Sequence, residues 1–92
     1  MAAIISGKPY FDYSGGHRLF LCWAPDEDYV WHRDEEDRKI TVVSGEGWCF
    51  QYENCLPFVL KRNSVFEIPK NEYHRLLKGT TDLLVRITKT NK

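Results

Sequence analysis

The sequence predicts an all-β fold, a sandwich or barrel of eight short strands, on three observations. Eight runs rich in β-branched and aromatic residues are separated by turn residues, roughly every 8–12 positions. No window of about ten residues carries a convincing apolar period near 3.6, so little or no helix is expected. Five Phe, five Tyr and three Trp among 92 residues supply large apolar area. A single small domain needs it, because chains of this size bury only roughly 60% of their unfolded surface.

Residues 1–17 carry Gly7, Pro9, Gly15 and Gly16 around Tyr10, Phe11 and Tyr13, the composition of an arm or edge strand laid over the barrel of residues 18–92. Strands are expected at 18–23, 29–34, 38–44 and 48–53, with Ala24-Pro25-Asp26 breaking the first run. Gly45-Glu46-Gly47 reads as a hairpin turn between the third and fourth. Further strands fall at 56–61, 64–68, 73–78 and 82–88, and Pro57 marks an edge position. Alternation across a sheet sends Arg38 inward with Ile40 and Val42, and His74 inward with Leu76. It buries Trp48, Phe50 and Tyr52, gives Leu83, Val85 and Ile87 one apolar face, and turns Arg86 outward.

Lys plus Arg and Asp plus Glu both count 13. With no basic excess to hold a phosphate backbone, nucleic acid is not an expected partner. No stretch approaches the ~18–20 apolar residues of a membrane span, and the first residues lack a signal-peptide core. Cys22, Cys49 and Cys55 are odd in number and fit no Cys-x-x-Cys spacing, so reduced thiols in a soluble, cytoplasmic protein are expected.

Two segments carry candidate chemistry. His32 and Asp34, two apart on one expected strand, project to one side, and His74 follows a Pro-bounded turn much later. Two imidazoles and a carboxylate suit Fe(II) and leave coordination positions open. The plainer account makes His32 a surface residue among acids and His74 a hydrogen-bonded pocket histidine.

The stretch from Ala24 to Gly45, followed by Asn63 to His74, resembles the two motifs of the cupin superfamily, G-x5-H-x-H-x3,4-E-x6-G and G-x5-P-x-G-x2-H-x3-N. Asp26 falls on the first glycine, His32 and Asp34 on the two histidines, Arg38 on the glutamate and Gly45 on the closing glycine. Asn63 and Asn71 fall on glycines of the second motif, Pro69 and His74 match, and Lys78 replaces the final Asn. The resemblance spans roughly residues 18–88 and implies a double-stranded β-helix, a jelly-roll barrel, that pairs with a second copy. Asp and Asn tolerate left-handed backbone, so the glycine replacements spare the fold. Arg38 is a different kind of change, because a guanidinium cannot ligate a cation and repels one.

The expected function is therefore a small cupin domain that binds, and can transform, a small polar metabolite. Its divalent metal, Fe, Mn, Ni or Zn, would be held by His32, Asp34 and His74, with Glu36 as a substitute ligand. Arg38, Phe50 and Tyr52 are the expected pocket residues. The alternative is a non-catalytic barrel in which Arg38 replaces the metal, and the pocket takes an anion or sugar, or the barrel a protein partner. A second resemblance, to Fe(II)- and 2-oxoglutarate-dependent oxygenases, would use Arg86 with Thr88, although Arg86 has outward parity. Trp31, opposite His32, is expected with Tyr29 at a homodimer contact or beneath the arm. Small cupins with reduced metal sites also resemble short reading frames of tailed phages.

Overall fold

Among the described residues the alternating segments form eight antiparallel strands in two sheets. The computed structural model describes residues 9–25 and 29–89. Asp26 and residues 1–8 of the expected arm lie outside the described residues. The strands are β1 (Tyr10–Tyr13), β2 (His17–Phe20), β3 (Arg38–Ser44), β4 (Cys49–Tyr52), β5 (Phe58–Val59), β6 (Val65–Ile68), β7 (His74–Leu77) and β8 (Leu83–Lys89). A 3-10 turn at Ser14–Gly16 is the one helical element among the described residues. No helix there is long and apolar enough to cross a membrane.

One sheet has the order β1-β2-β8-β3-β6 and the other β5-β4-β7. An isolated antiparallel bridge, His32 to His74, adds one more row beside β7. The long strand β8 lies between β2 and β3, with Ile87 opposite Ile40 and Val85 opposite Val42. The inward parity expected of β3 and β8 holds: Ile40, Val42, Leu83 and Val85 are buried and Arg86 is exposed. Burying side chains of this size contributes roughly 1.5–3 kcal/mol each. From the opposite sheet come Trp48 and Phe50, both buried. Phe50 meets Phe66 of β6 at 4.8 Å between ring centroids, joining the sheets.

Three local expectations are corrected. Gly45-Glu46-Gly47 is not a hairpin turn, because β3 and β4 belong to different sheets and the turn carries the chain between them. Gly45 has φ 137°, and a Cβ there would lie 2.9 Å from Leu83 Cδ1 and 3.0 Å from its Cα. Close approach to β8 explains that glycine. Residues 29–34 do not form a strand; only His32 pairs, because neighbouring contacts bend the segment. The Tyr29 hydroxyl donates to the Leu21 carbonyl at 2.6 Å and lies 3.0 Å from the Pro9 carbonyl, drawing its ring against Trp48. Tyr29 is thereby core and cannot join Trp31 at a surface contact. Finally, residues 56–61 form only the two-residue strand β5, followed by the Leu60 N–H donating to the Trp48 carbonyl at 2.8 Å, at the edge that Pro57 marked.

Candidate metal centre

His32 and His74 are placed by backbone pairing. The His32 N–H donates to the His74 carbonyl at 3.0 Å, and the His74 N–H donates to the His32 carbonyl at 2.9 Å. This reciprocal pair sets the two rings 4.4 Å apart. Asp34 is fixed from another loop, where the Asn71 N–H donates to its carbonyl at 2.7 Å. Asn71 adopts φ 64° and Asn63 φ 72°, the left-handed backbone expected where each replaces a motif glycine. The turn after β6 thus brings Asp34 to the histidines.

The tautomers follow from the ring contacts. His32 Nδ1 lies 3.0 Å from the Val30 carbonyl, and His74 Nδ1 lies 2.7 Å from the Glu72 carbonyl. A carbonyl only accepts, so each Nδ1 carries the proton, and in the neutral ring Nε2 keeps a lone pair. His74 is buried, and its ring stacks on Phe50 at 5.3 Å. Burial, reinforced by His32 and Arg38, holds the His74 imidazole below its ordinary pKa despite the opposing pull of the Glu72 carbonyl and Asp34. The neutral ring is favoured.

Asp34 Oδ2 lies 3.4 Å from His74 Nε2 and has no hydrogen-bond partner among the described residues. With His74 protonated on Nδ1, two acceptors face one another in a buried place. Such an arrangement favours a cation beside them; the Arg38 guanidinium, 3.5 Å from Asp34 Oδ2, is one, and a metal ion between the two acceptors would be another. Adjacent ligands at about 2.0–2.1 Å lie roughly 2.8–3.0 Å apart around an octahedral ion and roughly 3.3–3.4 Å apart around a tetrahedral one, so the separation fits the latter. Ligand atoms of His32, Asp34 and His74 all lie within 4.8 Å of one another. The group is close enough to hold a metal ion.

Arg38 and Glu36 shape the surroundings. Arg38 donates to Glu36 Oε1 from Nη2 at 2.8 Å and from Nε at 3.1 Å, while its Nη1 stays 3.5 Å from Asp34 Oδ2. The hydrogen-bonded guanidinium holds the Glu36 carboxyl below its ordinary pKa. Glu36 is thus engaged by Arg38, with Lys89 at 3.8 Å, and stands outside the group that could share an ion.

The cluster opens on a cavity of about 350 Å³ between the sheets, lined in part by Arg38 and Phe50. Tyr52 does not line it; its ring packs on Phe50 and its hydroxyl donates to the Glu67 carbonyl. Sequence reasoning missed Arg18, a lining residue that pairs with Asp12 at 2.7 Å and lies over Tyr10. The signal was present, since Arg18 shares a face with Phe20. It also missed the Asn71 tether, a backbone contact that no side-chain pattern encodes.

No family model, curated protein or solved structure matches the chain.

Proposed function

We propose that the chain is a small cupin-like double-stranded β-helix that binds a small molecule beside a divalent metal held by His32, Asp34 and His74. The observation that carries this reading is the His32, Asp34 and His74 group, in which His74 Nε2 lies 3.4 Å from an Asp34 Oδ2 that has no hydrogen-bond partner among the described residues. The strand order supports the family part. Rows β2-β8-β3-β6 face rows His32-β7-β4-β5, the arrangement of a jelly roll built from two Greek keys.

Iron, manganese, nickel and zinc each accept two imidazoles and a carboxylate. When bound, such an ion supplies Lewis acidity toward an oxygen of the guest. The chain's residues hold and orient: Nδ1 contacts with carbonyls fix both imidazoles as ligands, and Asp34 contributes negative charge. Both Nδ1 protons are engaged, so neither histidine is assigned as a proton carrier. Pairing of two copies through exposed Trp31, whose ring lies beneath the Arg75 guanidinium at 4.7 Å, is part of the proposal. Free thiols at Cys22, Cys49 and Cys55 support a reducing, cytoplasmic setting.

The test is elemental analysis of protein purified without chelator, beside His74→Ala and Asp34→Asn. Near-stoichiometric metal in the wild type and its loss from both variants are expected; equal metal content in all three would sink the reading.

A metal-free anion pocket is the second reading, favoured by Arg38 Nη1 at 3.5 Å from Asp34 Oδ2 on the cavity wall. Soaked protein would then hold no metal, and Arg38→Glu would abolish anion binding. The oxygenase-like variant has less support, because Arg86 is exposed and does not line the cavity.

A further inference from the structure

The His/Asp/His cluster occupies one side of a cavity whose remaining walls are mostly apolar. Phe20, Ile40, Phe66 and Ile87 of the five-stranded sheet line it together with Phe50 and Leu76 of the other sheet. At about 350 Å³ it lies near the lower end of the ~300–1,000 Å³ typical of small-molecule sites. Well-packed interiors leave few voids larger than a water molecule. Side chains held this far apart mark space for a guest, and water gains little from walls that offer it few hydrogen bonds.

Phe20, Phe66, Leu76 and Ile87 pack against the core yet remain partly exposed. A guest with an apolar body would remove that exposure. A sugar or polyol would instead surrender hydrogen bonds to water and regain few along these walls. The small polar metabolite expected from sequence is therefore a poor match for most of the cavity.

Charge selects the other end of the guest. The acids Asp34 and Glu36 are balanced by Arg38 and Lys89. A divalent ion added to this neutral set leaves an excess positive charge that an anionic head would offset. We infer that the guest is an amphiphilic monocarboxylate, with an aryl or short alkyl body between the sheets and its carboxylate toward the metal cluster and Arg38. The charge argument rests on the metal reading proposed above, whereas the apolar walls stand without it.

Calorimetric titration of the full chain tests this with three probes: 3-phenylpropanoate, 3-phenylpropan-1-ol and succinate. Each is titrated into chelator-stripped protein and into protein incubated with Mn(II), with metal content measured on the same samples. The expected result is that 3-phenylpropanoate binds roughly tenfold or more tightly than either control. The alcohol isolates the contribution of the head, and succinate that of the body.

Equal or weaker binding of 3-phenylpropanoate by protein that holds manganese overturns the ligand class and leaves the metal reading standing. The tenfold preference in protein that takes up no metal supports the ligand class and removes the metal reading. Absence of that preference in both samples overturns the ligand class whatever the metal content. Leu76→Trp and Ile87→Phe narrow the cavity from opposite sheets. A variant with an unchanged melting profile and metal content should lose 3-phenylpropanoate binding, and retained affinity in such a variant counts against the cavity as the site. If neither variant folds, the wild-type comparison still decides.

Discussion

Arg38 points two of its nitrogens at one oxygen of Glu36, at 2.8 and 3.1 Å, and makes a longer ion pair with Asp34 through Nη1 at 3.5 Å. Glu36 therefore competes with Asp34 for the guanidinium. The competition matters because Asp34 serves a metal better the more weakly its Oδ2 is paired with Arg38.

Two variants should move metal affinity in opposite directions. Glu36→Gln removes the charge that restrains Arg38, which then closes more tightly on Asp34; affinity should fall about tenfold, as for loss of an outer-sphere partner. Arg38→Gln removes the repelling cation and should raise affinity by a comparable factor. Competitive titration with a metal-sensitive dye reads both. Shifts in the same direction would contradict the competition.

His74 makes stability depend on pH. Burial lowers its pKa in the folded chain below the unfolded value near 6.5. The unfolded chain then binds more protons in the window between the two values. The contribution is fully present above about pH 6.5 and is lost as pH falls toward the folded pKa. Metal-stripped wild type should lose melting temperature as pH drops from about 7 to about 5, and His74→Gln should show a shallower decline. Parallel pH profiles for the two proteins would remove His74 as the cause.

Strand parity and turn chemistry were legible where one strong local rule acted alone. Alternation placed Ile40 and Val42 of β3, and Leu83 and Val85 of β8, in the core. Likewise, the asparagines standing in for glycines have positive φ. Legibility failed where distant partners decide. Tyr29 turns inward because its hydroxyl reaches the Leu21 and Pro9 carbonyls, and that bend lets Tyr29 and His32 both line the cavity despite their opposite parity. A Gly-x-Gly turn has the same local chemistry in a hairpin as between sheets, so Gly45 did not reveal which. Among the candidate site residues, His32, Asp34 and His74 came together, but the role of Glu36 depended on a guanidinium whose direction no spacing encodes. The apolar cavity was hidden for a further reason: its walls come from seven strands, from the 29–34 segment and from Leu60, and its volume is set by how far the sheets stand apart.

Two of the three left-handed asparagines, Asn63 and Asn71, separate stability from site geometry. Asn63 and Asn71 share the same backbone strain, φ 72° and 64°, so alanine at either position should cost about 1–2 kcal/mol. For a domain of this size each kcal/mol lowers the melting temperature by roughly 4–8 °C. Glycine adopts positive φ without a Cβ clash and should be close to neutral at both positions. Their tertiary contacts differ: the Asn63 N–H donates to the Val42 carbonyl at 2.9 Å, within the core sheet, whereas the Asn71 N–H donates to the Asp34 carbonyl at 2.7 Å. Alanine at 71 should therefore weaken metal binding beyond its effect on melting, and alanine at 63 should not. Thermal melts and metal titrations on all four variants provide the comparison. If Asn71→Ala melts early yet binds metal as the wild type does, the tether supports the fold without positioning Asp34; if Asn71→Gly keeps both properties, the backbone conformation at 71, not its side chain, carries the placement.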